Sequence, residues 1–263
     1  MRVRVVRQIF DWPHSQECDS LAEMRLETTK KHWDQLGAED PFWAVLTDPS
    51  KKGGRWDPAE FFQTGVDEIG GVMAELTQLT GTPPRTCALD FGCGVGRLSQ
   101  ALSRHFEKVH GVDISPSMLE HASRFNQFPD KCQYHLNDVA DLRLFPENQF
   151  DFVCSVITLQ HMAPQYAMAY VREFFRVLRP GGIAFFQVIT AAGWRRLIPN
   201  FVTDFYRRLK HGDKAFVGAF GIPEQQLAQL LAEVRAEVLD LRRGRDPSGR
   251  WASLRYLARK KGT

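Results

Sequence analysis

The chain has 263 residues, 43% of them hydrophobic, enough for one substantial core plus an appendage. Lys and Arg number 34 against 31 Asp and Glu, a formal net charge of +3; so even a balance implies no polyanion, and a nucleic-acid partner is not favoured. Five cysteines, Cys18, Cys87, Cys93, Cys132 and Cys154, are odd in number, form no C-x-x-C pair and lie in or beside apolar runs, as reduced thiols of a cytoplasmic protein do.

Met1-Arg2-Val3-Arg4-Val5-Val6-Arg7 alternates basic and apolar residues and lacks the apolar core, roughly 7 to 15 residues, of a secretory signal. No stretch approaches the roughly 18 uncharged apolar residues that span a bilayer. A soluble chain without membrane association is expected, and nothing in the pattern speaks to oligomeric state.

Residues 1–85 lack strand alternation and are rich in Trp, Phe and charge, so helices and loops covering the core are expected there. Asp57 and Pro58 are start signals for a helix, and Phe61, Phe62, Val66, Ile69, Val72, Met73 and Leu76 carry its apolar face to about Leu79. From Thr86 the texture changes. Thr86 to Phe91 reads as a strand, followed by a Gly-rich turn and a helix bearing Leu98, Ala101, Leu102 and Phe106. Lys108 to Ile114 is a second strand, and Ser115-Pro116 caps and opens the helix of Met118, Leu119, Ala122 and Phe125. Gln133 to Asn137 is a third strand. Phe150 to Thr158, almost continuously apolar, is a fourth, as expected of a strand buried on both faces.

Tyr166, Tyr170, Phe174 and Leu178 lie on one helical face that ends at Arg179-Pro180-Gly181-Gly182, before a fifth strand from Ile183 to Ile189. Residues 190–222 are irregular and aromatic, with Trp194, Phe201, Phe205, Tyr206, Phe216 and Phe220, and read as a lid-like insertion. Pro223 opens a helix with Leu227, Leu230, Leu231 and Val234. A closing hairpin then pairs Ala236 to Leu241 with Ser253 to Ala258 around Gly244 to Gly249. Strands alternating with helices over residues 86–235 give an α/β, doubly wound, Rossmann-like sheet.

A Gly-rich turn after the first strand of such a sheet sits at the crevice where ligands bind. Gly92 and Gly94 fit the first two positions of the dinucleotide fingerprint, but Arg97 takes the third, and no Gly-Lys-Ser/Thr of a phosphate loop follows. Asp90, just before the turn, would repel a pyrophosphate and attract an ammonium or sulfonium. Asp113, 23 positions later, stands where a carboxylate accepts the hydroxyls of an adenosine ribose. An adenosine with a cationic tail describes S-adenosylmethionine.

Leu89-Asp90-Phe91-Gly92-Cys93-Gly94-Val95-Gly96, Gly111-Val112-Asp113-Ile114-Ser115, Asn137-Asp138 and Leu178-Arg179-Pro180-Gly181-Gly182 together resemble the ordered motifs of class I S-adenosylmethionine-dependent methyltransferases of the bacterial small-molecule type. Asp40 to Leu46 and Gly54 to Phe62 resemble leader segments of the same group, less specifically. The resemblance implies a seven-stranded sheet with an antiparallel last strand, a helical segment over residues 1–85 that covers the substrate, and a cofactor domain over 86–263. It places the turn (Asp90, Gly92, Cys93, Gly94, Gly96, Arg97) against the methionine part of the cofactor and Asp113 on its ribose, with Ile114 and Met118 beside it. Asp138 and Val139 would lie at the adenine, with Ser155 and Gln160 completing the cofactor set after the fourth strand.

Bland readings stand beside these. Asp90 and Asp113 could cap helices, Asp138 could be a turn residue, and Arg97 a solvated first-turn side chain. Gln160 could cap the next helix. His161 lies where donor and acceptor would meet and is the candidate general base, against a merely structural histidine. The Arg242-Arg243-Gly244-Arg245 run reads as a solvated hairpin. The expected activity is methyl transfer to a small organic acceptor, at O or N, with no metal. Nucleic-acid or protein methylation is the first rival, weakened by Ser155-Val156-Ile157-Thr158 standing where an Asn-Pro-Pro-Tyr-type motif would be. A non-catalytic S-adenosylmethionine-binding protein and a nicotinamide oxidoreductase are the others.

Overall fold

The computed structural model describes residues 16–191, 219–245 and 251–262. Three helices come first: α1 (Gln16–Glu39), α2 (Pro41–Val45) and α3 (Pro58–Thr80). The start of α3 follows from its sequence, since the Asp57 carboxylate accepts the Glu60 N–H at 2.9 Å, Pro58 fills the first turn and Gly81 closes the helix at φ 74°.

The sheet is built from β1 (Cys87–Phe91), β2 (Lys108–Asp113), β3 (Cys132–Leu136), β4 (Phe150–Ser155), β5 (Leu178–Ala191), β6 (Ala236–Arg245) and β7 (Trp251–Lys260), in the order β3-β2-β1-β4-β5-β7-β6. The first five run parallel, and β7 is antiparallel to both β5 and β6. Helices α4 (Arg97–Leu102), α5 (Pro116–Arg124), α6 (Pro164–Val177) and α7 (Glu224–Glu233) connect them. This is the doubly wound, seven-stranded architecture with an antiparallel last strand, joined to an N-terminal helical segment.

Every residue of β1 and β4 is buried, which is why both read as near-continuous apolar runs. One face of the sheet carries α6 and α7, with Tyr170, Phe174, Leu227 and Leu231 on Val153, Phe186 and Tyr256. The other carries α4 and α3, with Leu98, Leu102, Ile69 and Leu76 on Ala88, Val109, Phe152 and Leu257. Helix α3, although it belongs to the N-terminal segment, therefore forms part of the main core.

Several boundaries differ from the sequence reading by one to a few residues, and two of them have a clear local cause. The fourth strand stops at Ser155, because the chain turns sharply at Ile157, whose φ is +60°. Helix α6 ends at Val177, and Leu178 already pairs with Phe150 in the sheet. Arg179-Pro180-Gly181-Gly182 forms a bulge before Ile183 resumes the register opposite Phe152, with Gly181 at φ +81°. Most of the lid-like insertion (residues 192–218, holding Trp194, Phe201, Phe205, Tyr206 and Phe216) and the hairpin tip (246–250) lie outside the described residues. Among the described residues no helix is long and apolar enough to cross a membrane. Cys87, Cys93, Cys132 and Cys154 are buried free thiols; the side chain of Cys18 is outside the described set.

Candidate active site

The strand order reverses between β1 and β4, with β2 and β3 on one side and β5 on the other. In an open parallel sheet the crevice beyond the strand ends at such a point is the ligand position. The loops after β1 and β4 meet there. The Thr158 hydroxyl lies 3.4 Å from the Gly92 carbonyl, and a Cβ on Gly92 would overlap the Thr158 side chain. Gly92, at φ +74°, is therefore required by space as well as conformation. Ile157, the β-branched residue just before Thr158, is in left-handed conformation, which costs on the order of 1–3 kcal/mol and persists only where its surroundings enforce it.

Four amides of the glycine turn are used within the fold. Gly92 and Cys93 N–H groups donate to the Val112 carbonyl at 2.8 and 3.0 Å, Gly96 N–H to Cys93 O at 2.9 Å, and Gly94 N–H to the Asp113 carboxylate at 2.8 Å. With those donors committed to the fold, the turn suits a cationic group better than a pyrophosphate. On the far side of the turn, the ring of Tyr134 fills the space a Cβ would take at Gly96 and at Gly111.

Asp90 ends β1 almost fully buried, at 1% exposure, and its carboxylate accepts the Ser99 hydroxyl of α4 at 2.6 Å. Burial pushes its carboxyl up to about 6, against the pull of the Ser99 hydrogen bond and the Arg97 charge. Arg97 is not a solvated first-turn residue: it is 4% exposed and pairs with Glu68 of α3 at 2.9 Å, with the Thr64 hydroxyl at 3.4 Å. Asp113 is partly buried. Its Oδ1 accepts the Ser115 N–H at 2.9 Å and its Oδ2 the Gly94 N–H, leaving further lone pairs on both oxygens. Burial raises its carboxyl, and these backbone donors oppose the rise.

The remaining candidates spread along the strand ends. Ile114 is half-buried beside Asp113, and Met118 is buried among Ala44, Phe61 and Val95. Asp138, after β3, is exposed and paired with Lys30 of α1 at 2.9 Å. Exposed Val139 follows it, its carbonyl accepting the Tyr170 hydroxyl at 2.5 Å. Ser155 is fully buried at the end of β4, and its hydroxyl has no hydrogen-bond partner among the described residues. Gln160 and His161 lie in a short 3-10 turn, Leu159–His161, with the Gln160 Nε2 3.2 Å from the His161 Nε2 and the Gln160 carbonyl accepting the Phe220 N–H. The ring of Trp33, from α1, stands edge-on to His161 at 5.3 Å.

Ser99, Thr158, Ile157, Trp33 and Lys30 were not singled out in the sequence. Only Ser99, one turn into α4 and facing back toward β1, carried a readable signal. Conversely, Arg179 of the Leu178 to Gly182 motif lies at the opposite end of the sheet. It pairs with buried Asp151, whose other oxygen accepts the N–H groups of Thr86 and Cys87 at the start of β1. Its role is to join β1, β4 and β5. Arg242 and Arg243 are paired with Glu75 and Glu224; the side chain of Arg245 is outside the described residues. Among the described residues no group of three or more His, Cys, Asp or Glu is placed to hold a metal.

The residues present fit S-adenosylmethionine on three counts: a buried carboxylate under the turn, a second acid at the end of β2 with acceptor capacity left, and, at the end of β4, a buried hydroxyl with no partner among the described residues. Comparison with known proteins agrees. Residues 89–186 match the model of a methyltransferase domain. The chain is 31% identical over 168 residues to 2-methyl-6-phytyl-1,4-hydroquinone methyltransferase of a Synechocystis strain, covering 62% of this chain and 49% of that protein. It is 35% identical over 152 residues to malonyl-acyl-carrier-protein O-methyltransferase of Herminiimonas arsenicoxydans, covering 54% of each. The chain thus spans about half the length of these curated relatives. In fold it is similar to magnesium protoporphyrin IX methyltransferase of Synechocystis PCC 6803, solved with bound S-adenosylhomocysteine, at a TM-score of 0.61 and 17% identity over 89% of this chain and 99% of that one. Residues 89–186, with the glycine turn and its two strand-end acids, thus resemble a methyltransferase domain, and the seven-stranded sheet that carries them has a fold similar to that of the solved methyltransferase.

Proposed function

We propose that the chain transfers a methyl group from S-adenosylmethionine to a small organic acceptor, at oxygen or nitrogen. When bound, the cofactor supplies a methyl group activated by its sulfonium. Asp113 holds the ribose hydroxyls, Asp90 beneath the turn favours the cationic methionine end, Asp138 and Val139 border the adenine, and the Ser155 and Gln160 loop closes the near side. His161 takes the proton that the acceptor loses, where the acceptor is a hydroxyl. The rest of the rate comes from alignment and exclusion of water, for which the roof of α1 and α2 is suited. Lys30, Trp33 and Val45 of that roof touch or border Asp138, His161 and Gly94 respectively.

The observation that carries this reading is the use of the turn's amides within the fold, which turns the site toward a cationic ligand and away from a dinucleotide. Calorimetry with S-adenosylhomocysteine on wild type, Asp113→Ala and Asp113→Asn tests it. Wild type binds, and the alanine variant loses at least a hundredfold in affinity while keeping its far-ultraviolet dichroism. Equal affinity in the alanine variant, or a wild type stabilised by nicotinamide nucleotides and not by S-adenosylhomocysteine, overturns it. Turnover of labelled methyl groups from S-adenosylmethionine onto candidate phenols and amines then separates an enzyme from a binding protein.

A further inference from the structure

Helix α1 touches the loops after β2, β3 and β4 with one face. Lys30, Trp33, Asp34 and Gly37 follow the i, i+3, i+4, i+7 spacing of a single helical stripe. Lys30 pairs with Asp138 and Trp33 stands against His161. Gly37 crosses the start of α5 so closely that a Cβ there would overlap the Ser117 hydroxyl and come within 3.2 Å of the Met118 nitrogen. Asp34 makes the most specific of these contacts. Its Oδ1 accepts the Ser117 N–H at 2.8 Å and the Ser115 hydroxyl at 3.2 Å, while its own backbone carbonyl accepts the Ser117 hydroxyl at 2.7 Å.

Helix α5 does not need that carboxylate as a cap. Ser115 already supplies the local one, its Oγ accepting the Met118 N–H at 3.2 Å. The second acceptor, reaching from more than 80 residues away, serves instead to tie α1 to the loop. That loop carries Asp113, whose Oδ1 accepts the Ser115 N–H and whose Oδ2 accepts the Gly94 N–H. A continuous run of hydrogen bonds therefore leads from α1 through Ser115 to the acid at the end of β2 and on to the glycine turn.

We propose that Asp34 is a positioning residue for cofactor binding: it holds the Ser115 to Ser117 corner so that the Asp113 carboxylate is aimed at the ribose, and it makes docking of α1 and filling of the cofactor site one coupled event. The inference rests on the cofactor reading above. Coupling of this kind is reciprocal, so the cofactor stabilises the docked α1 by the same free energy that docked α1 contributes to affinity.

The test combines hydrogen exchange with S-adenosylhomocysteine titration of the full chain. In wild type, saturating S-adenosylhomocysteine slows exchange of the amides of residues 30–37. Asp34→Ala weakens binding about tenfold and abolishes that slowing, with the melting temperature of the ligand-free protein within about 2 °C of wild type. Asp34→Asn retains an acceptor for the Ser117 N–H and recovers most of the affinity. Wild-type affinity in Asp34→Ala, or exchange at residues 30–37 that S-adenosylhomocysteine does not alter in wild type, overturns the proposal. Should Asp34→Ala fail to fold, the wild-type exchange and the asparagine variant decide it. A wild type that does not bind S-adenosylhomocysteine refutes the cofactor reading, an outcome distinct from unaltered binding in Asp34→Ala.

Discussion

Asp90→Asn removes one negative charge from beneath the glycine turn while keeping the side chain's size and an acceptor for the Ser99 hydroxyl. Burial has raised the Asp90 carboxyl from its ordinary 3.8 to about 6. A carboxyl whose value is higher in the folded than in the unfolded chain favours folding at low pH. That contribution is complete below about 3.8 and is lost as pH rises to about 6. At about 1.4 kcal/mol per tenfold change in acidity, the ionised group destabilises the ligand-free protein by about 3 kcal/mol above pH 6. Asparagine carries no such cost. Asp90→Asn is therefore expected to melt higher than wild type at pH 7 by up to roughly 5 to 10 °C, with the gap closing as pH falls toward 4. The charge that costs stability is the one that favours a cationic ligand, so the variant loses more affinity for S-adenosylmethionine than for S-adenosylhomocysteine, whose sulfur is neutral. Melting curves at half-unit steps from pH 4 to 8, with titrations of both ligands at pH 7.5, read the two effects. A variant less stable than wild type at pH 7, a gap that does not change with pH, or equal losses for the two ligands refutes the reasoning.

Other consequences can be checked on the same protein. Gly92→Ala forces a Cβ into the Thr158 side chain at a φ of +74°; S-adenosylhomocysteine binding is expected to be lost, and Gly92→Ala with Thr158→Gly to recover part of it, as calorimetry on both would show. His110 and His135 face each other at 2.9 Å between Phe145 and Phe150, and burial first, then His135 and Lys108, hold His110 down to about 4. Because the unfolded imidazole takes a proton near 6.5, stability falls as pH drops from 6.5 toward 4, opposite in sign to the Asp90 effect. His110→Phe in the Asp90→Asn background flattens most of that limb in thermal melts; an unchanged limb places the acid sensitivity elsewhere.

The parts of the fold visible in the sequence are those fixed by local rules. The Asp57-Pro58 and Ser115-Pro116 starts mark α3 and α5 because capping is a matter of three or four neighbouring residues. The burial of β1 and β4 is written as unbroken apolar runs because a strand covered on both faces has no polar side. What stayed hidden depends on contacts between distant segments. No local pattern announces that Ile157 must adopt a left-handed conformation, because the cause is Thr158 pressed on Gly92, 66 residues earlier. Arg97 looks like any charged first-turn residue until Glu68 and the α3 crossing at Gly65 enclose it. For the same reason Asp90 was readable as an acid of the site but not as a buried one. Its environment is made by Ser99, Cys154 and Gly111 from three other elements, none of them adjacent to it in sequence.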